Sequence, residues 1–141
     1  MRPDPDTIAN YIRGNNKFRS TLDDVVDSGA FENGCLIVAR ALQLMFGGEI
    51  VVLVRSDDFA DHAAVRLPDG RLIDADGPAS PGKFIARFNR DSFFGISNDI
   101  NVVGFRPILP GDLAGVSFNE EVSWDLVDIL RRSRKSTQQG G

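Results

Sequence analysis

One stretch of the chain, residues 34–55, limits the possible folds more than any other. Before the pair Gly47-Gly48, apolar side chains recur at helical spacing. They are Cys35, Val38, Ala39, Leu42, Met45 and Phe46. This spacing predicts a helix over Cys35–Phe46 with one buried face, ended by the glycines. The next segment, Glu49–Arg55, is apolar and β-branched in its interior, which predicts a central strand buried on both faces. A helix and a strand of this kind bury their apolar surfaces against each other, so the stretch predicts an α+β fold.

A β-hairpin is predicted after that strand. Residues 62–67 and 71–75 are short apolar-rich segments, and Pro68-Asp69-Gly70 between them is a strong signal for a tight turn. The two segments should therefore be neighbouring antiparallel strands. The helix that carries Cys35 is then expected to pack on an antiparallel sheet.

The remaining elements are further helices and one more strand. Helical periodicity predicts short helices at 6–13 and 18–27, another at 83–90, and a last helix that Ser117 or Asn119 caps and that ends near Arg132. Residues 101–106 have the composition of a strand, and the connections between elements are expected to be loops. No shift in composition marks a domain boundary. We therefore expect one globular domain over residues 1–132 and a disordered polar tail over 133–141.

Composition narrows the function classes. The 141 residues are 42% hydrophobic and 26% charged, with a net charge of -4. A chain of this length can bury a core without disulfides or metals, and its acidity argues against nucleic acid or an anionic membrane as a partner. One cysteine cannot form an internal disulfide, and neither a signal segment nor a membrane span is visible. We therefore expect a cytoplasmic protein that needs no cofactor.

The single cysteine and the single histidine stand in an order that suits thiol chemistry. Cys35 falls in the first turn of the predicted helix, where free N–H groups and the helix dipole favour a thiolate. Its own N–H, with a neighbouring N–H or the Asn33 side chain, could form an oxyanion hole. His62 opens a strand, and the hairpin pairs it with residues near Asp76, with Asp74 one diagonal step away. Geometry alone leaves both aspartates as possible partners of the imidazole.

These residues resemble the papain-like and transglutaminase-like cysteine superfamily. The resemblance covers about residues 33–77 and is carried by Gly34, Cys35, Ala39 and Leu42, then by His62, Ala63 and Val65, and then by a strand that ends in aspartate. Short bacterial or phage proteins with an Asp-Ala-Asp-Gly turn are similar as well. The superfamily implies a papain-like core and acyl transfer from a protein, peptide or other amide substrate, by hydrolysis, deamidation or transglutamination. It assigns Cys35 as the nucleophile, His62 as the base and Asp74 as the orienting acid, with Asp76 as the second choice.

Other interpretations lead to different functions. Gly29 stands where papain-like enzymes carry a glutamine, which favours a non-catalytic protein-binding module or inhibitor on the same fold as the alternative. A self-associating structural protein is a third possibility, and the sequence implies no particular oligomeric state. Cys35 can also be a small buried core residue, and Trp124 is expected to pack on the core. A zinc site built from Cys35, His62 and Asp74 lacks a second cysteine or histidine, so we expect no metal.

Overall fold

The computed structural model describes residues 3–26, 34–92, 101–114 and 116–133. These residues form five helices and five strands, which confirms the predicted α+β class. In chain order the elements are α1 (Ile8–Arg13), α2 (Asn16–Asp23), α3 (Cys35–Phe46), β1 (Glu49–Arg55), β2 (Ala60–Arg66), β3 (Leu72–Asp74), β4 (Gly77–Ala79), α4 (Pro81–Ser92), β5 (Val102–Pro107) and α5 (Glu120–Arg132).

The strands form one sheet in the order β4-β3-β2-β1-β5, and every neighbouring pair is antiparallel. β1 lies inside this sheet with Val51 to Val54 buried, so the prediction of a central strand is confirmed. β2 and β3 form the predicted hairpin, with Val65 opposite Ile73. Gly70 closes the turn at a φ of 94°, a conformation that favours glycine.

Helices cover both faces of the sheet. On one face α3 packs with α1, α2 and α5 in a single apolar cluster, and on the other face Phe84 of α4 joins a second cluster. α3 is buried around more of its circumference than the predicted stripe, because Ile37 and Ala41 are also fully covered. The reason is α5, which packs against α3 and whose Ser123 donates its hydroxyl to the Ile37 carbonyl at 2.9 Å.

Several predictions about individual segments are wrong. Residues 77–79, expected to lie in a loop, form the edge strand β4, since Gly77 adopts a φ of 99° that turns the chain back on β3. An edge strand also tolerates the missing N–H of Pro78. α4 begins at Pro81, earlier than predicted, because proline suits the first turn of a helix. Trp124 is 46% exposed and does not fill the core.

The structure also decides the predictions for the two ends of α5. Asn119 caps α5 and its side chain accepts the Val122 N–H, which decides between the two predicted caps. Ser133, assigned to the tail, is the C-terminal cap of α5 and donates its hydroxyl to the Ile129 carbonyl. The rest of the predicted tail, 134–141, and the connection 93–100 lie outside the described residues.

Candidate active site

The chain path brings Cys35, His62 and Asp74 to the same end of the sheet. Only Gly47-Gly48 separate α3 from β1, so the helix and the strand run in opposite directions. The first residue of α3 therefore lies near the sheet end where β1 finishes and β2 begins. β3 is antiparallel to β2 and ends at that side as well.

His62 and Asp74 form a buried hydrogen-bonded pair. The imidazole Nε2–H donates to Asp74 Oδ2 at 2.9 Å, and the two residues are 1% and 6% exposed. The pairing of Val65 with Ile73 makes Asp74 a diagonal neighbour of His62. Asp76 stands past the end of β3, where its side chain is exposed and its backbone N–H donates to Asp74 Oδ1 at 2.9 Å. The structure therefore brings Asp74, and not the side chain of Asp76, to the imidazole.

α4 contributes two contacts that the sequence analysis did not identify. The Arg87 guanidinium donates from Nη2 to Asp74 Oδ1 at 3.3 Å. The Phe88 ring stacks on the imidazole of His62, with the ring centroids 4.9 Å apart and the planes at 26°. Periodicity predicts the helix that carries Phe88, but it does not predict that this ring meets His62. An arginine on an amphipathic helix has no local pattern that separates it from an ordinary surface cation.

Cys35 is the third residue of this buried cluster. Cys35 is the first residue of α3, is 2% exposed and is not in a disulfide. Its side chain and its charge both raise the pKa of the His62 imidazole. The order thiol, imidazole, carboxylate is the one that a nucleophile, its base and an orienting acid require.

The pKa of His62 is set by burial, which lowers it, and by Asp74 and Cys35, which raise it. Burial is the largest and lowers the pKa of the imidazole, because a cation loses its water. The side chains of Asp74 and Cys35, together with their charges, outweigh it and raise the pKa of His62 from 6.5 to about 9. With a pKa of about 9, the imidazole is a cation at neutral pH and donates to the Asp74 carboxylate.

The N-terminus of α3 supplies backbone donors beside the thiol. Gly34 occupies the N-cap position and has no side chain to bond the N–H groups of the first turn. Groups of this kind are the donors of an oxyanion hole. Asn33, the side chain predicted to assist them, lies outside the described residues.

Comparison with known proteins found no matching family model, no curated relative and no solved structure of significant similarity. Within the described ranges, no three or more His, Cys, Asp or Glu side chains are grouped to hold a metal ion. In the same part of the chain, no helix has both the length and the apolar content that a bilayer crossing needs. The class of this site is therefore defined by its own chemistry, a buried imidazole hydrogen-bonded to a buried carboxylate and influenced by a buried thiol.

Proposed function

We propose that this protein is a small cysteine-dependent hydrolase or acyltransferase on a papain-like or transglutaminase-like core. The observation that carries the proposal is the 2.9 Å hydrogen bond from His62 to Asp74, on an imidazole whose pKa the Cys35 side chain also raises. A second support is the position of Cys35 at the N-terminus of α3, where backbone N–H groups favour negative charge. The proposed substrate is the amide or thioester carbonyl of a protein, a peptide or a smaller acyl compound.

The proposed reaction has two halves. In the first, the Cys35 sulfur attacks the carbonyl carbon while His62 gives its proton to the leaving amine, so a thioester replaces the amide. In the second, water or an acceptor amine loses a proton to His62 and attacks the thioester, which releases the product acid or amide and restores the thiolate. Asp74 keeps the imidazole oriented throughout, and the first-turn N–H groups of α3 stabilise the oxyanion of each tetrahedral intermediate.

Alkylation of Cys35 by iodoacetamide tests this proposal without a known substrate. Cys35 is the only cysteine, so mass spectrometry of the intact protein counts its labelling alone. At about pH 6 the wild-type protein should react at least about tenfold faster than a His62→Gln variant, because the imidazolium stabilises the thiolate. The glutamine amide can still donate to Asp74, which limits damage to the fold.

Urea-unfolded protein is the control, since its free thiol should react with a midpoint near pH 8.5, about the ordinary value. The proposal is contradicted if Cys35 in the folded wild type reacts with the same pH dependence as in the unfolded protein, and if the His62→Gln variant does so as well. Complete protection of Cys35 from the reagent also contradicts it, because a substrate must reach the same sulfur.

A non-catalytic binding module is the second candidate, and one observation favours it. Cys35 and His62 are only 2% and 1% exposed, so the site offers a substrate little surface. Under this alternative, Cys35→Ala should leave the biological effect and the affinity for the partner unchanged, as measured by a cell assay and by calorimetry. Loss of the biological effect with intact fold and partner binding would exclude the alternative.

A further inference from the structure

The guanidinium of Arg87 donates to Oδ1 of Asp74, the oxygen that does not meet His62, and the catalytic roles proposed above leave it without a function. We propose that Arg87 is a positioning residue that holds Asp74 in the orientation in which its Oδ2 meets His62. Its importance for catalysis rests on the proposed function, whereas its effect on the His62–Asp74 pair can be measured separately.

The two oxygens of Asp74 have divided roles. Oδ1 accepts from Arg87 Nη2 at 3.3 Å and from the Asp76 N–H at 2.9 Å. Oδ2 accepts from His62 Nε2 at 2.9 Å. Donors on Oδ1 restrict rotation of the carboxylate about its Cβ–Cγ bond, so Oδ2 stays directed at the imidazole.

Arg87 is itself held in place and can therefore act as a fixed support. Its Nη2 donates to the Gly77 carbonyl at 2.8 Å, and its Nη1 is 3.4 Å from the Asp76 carbonyl. The guanidinium also stacks over Phe84, 4.9 Å from the ring centroid, and Phe84 is 1% exposed. Hydrogen bonds to two backbone carbonyls and a core aromatic ring fix the planar group from several directions.

The charges at this end of the sheet support the same role. Among the described residues, Cys35 from α3 and Asp74 from β3 raise the pKa of His62, and the uncharged Phe88 ring from α4 stacks on the imidazole. Arg87 forms an ion pair with Asp74, through which it can influence His62 by holding or by neutralising that carboxylate. These two influences have opposite signs. Loss of orientation weakens the bond to His62, whereas loss of a cation alone favours the protonated imidazole.

An NMR titration of His62 separates the two influences. His62 is the only histidine, so its imidazole carbon-bound protons are identified without assignment. In Arg87→Met the titration midpoint should fall by at least about one pH unit, and the deshielded Nε2–H signal should weaken, because Asp74 is no longer held. An unchanged or raised midpoint would overturn the proposal.

Arg90→Met is the matched control, because it removes the same charge from the same helix. The side chain of Arg90 is 73% exposed and pairs with Asp91. This variant should leave the midpoint unchanged, and an equal fall in both variants would overturn the positioning role. If Arg87→Met does not fold, Arg87→Lys serves instead. A lysine keeps the charge but cannot reproduce the planar fork, so its midpoint should also fall, and a wild-type midpoint in that variant overturns the proposal.

The outcomes for Arg87 and for the proposed function are distinguishable. If alkylation of Cys35 does not depend on His62, the proposed function fails, while a fall of the midpoint in Arg87→Met still establishes the positioning of Asp74. If alkylation depends on His62 but the titration midpoint of His62 is the same in the wild type and in Arg87→Met, only the positioning role fails.

Discussion

Replacing Asp74 with asparagine should lower the pKa of His62 from about 9 toward its ordinary value of 6.5, because only Cys35 is then left to raise it against the burial of the ring. Asp74 supplies both a hydrogen bond and a negative charge to the imidazolium, and burial of the ring remains when both are lost. Burial alone favours the neutral imidazole. The measurement is the NMR titration of the single histidine, in the wild type and in Asp74→Asn.

The same substitution should change how stability depends on pH. In the wild type the folded pKa of His62 exceeds the unfolded value of 6.5, so the folded state binds more protons between 6.5 and about 9. The stabilisation from this group is therefore complete below pH 6.5 and is lost as pH rises through about 9. It amounts to roughly 3 kcal/mol at most. Urea unfolding at several pH values should show this decline in the wild type and a much flatter profile in Asp74→Asn.

Asp76→Asn is the matched control for this prediction. It removes one carboxylate from the same turn, two residues further on, at an exposed side chain. Its backbone N–H, which bonds Asp74 Oδ1, is retained. The pKa of His62 should therefore stay near 9 in this variant. A large fall in Asp76→Asn with little change in Asp74→Asn would reverse the assignment of the acid.

The second large effect is expected at Gly48, between α3 and β1. Gly48 has a φ of 99°, and a Cβ added there would lie 2.3 Å from the Arg66 carbonyl oxygen and 3.1 Å from Val65 Cγ1. The close neighbour is backbone of β2, so either strand must shift to make room. We expect Gly48→Ala to lower the free energy of unfolding by about 3–4 kcal/mol, from backbone strain and overpacking together. Urea denaturation monitored by circular dichroism measures the loss.

Gly70→Ala separates the strain from the clash. Gly70 has a similar φ of 94°, yet in the described part of the chain a Cβ there would meet no heavy atom within 4 Å. Gly70→Ala should therefore lower the free energy of unfolding by only about 1–2 kcal/mol, which is the strain of the left-handed conformation. Equal losses in the two variants would show that the approach of Gly48 to β2 is not tight in solution.

Local patterns predicted α3 and β1 to the residue, at Cys35–Phe46 and Glu49–Arg55. Both have long, uniform periodicity, and a glycine pair separates them. The edge strand β4 was missed because three residues with a central proline carry no periodic signal. Its pairing depends on β3 already being in place, which is a tertiary condition.

The residues of the candidate site were likewise predicted only in part from the sequence. The sequence alone predicts Cys35 at the start of a helix and His62 at the start of a hairpin strand, because periodicity and turn residues are local properties. The helix does begin at Cys35, whereas β2 begins two residues before His62, at Ala60. The sequence leaves two aspartates open. The structure brings Asp74 to the imidazole, since β3 ends there and the chain turns into β4.

Only the tertiary structure decides the charge of His62 and the presence of Arg87 behind Asp74. The pKa of about 9 is a balance between burial and two partners that lie on different elements. Arg87 and Phe88 reach the site because α4 folds back over the sheet. Electrostatic energies depend on distance and solvent exposure in three dimensions, and spacing along the chain carries neither.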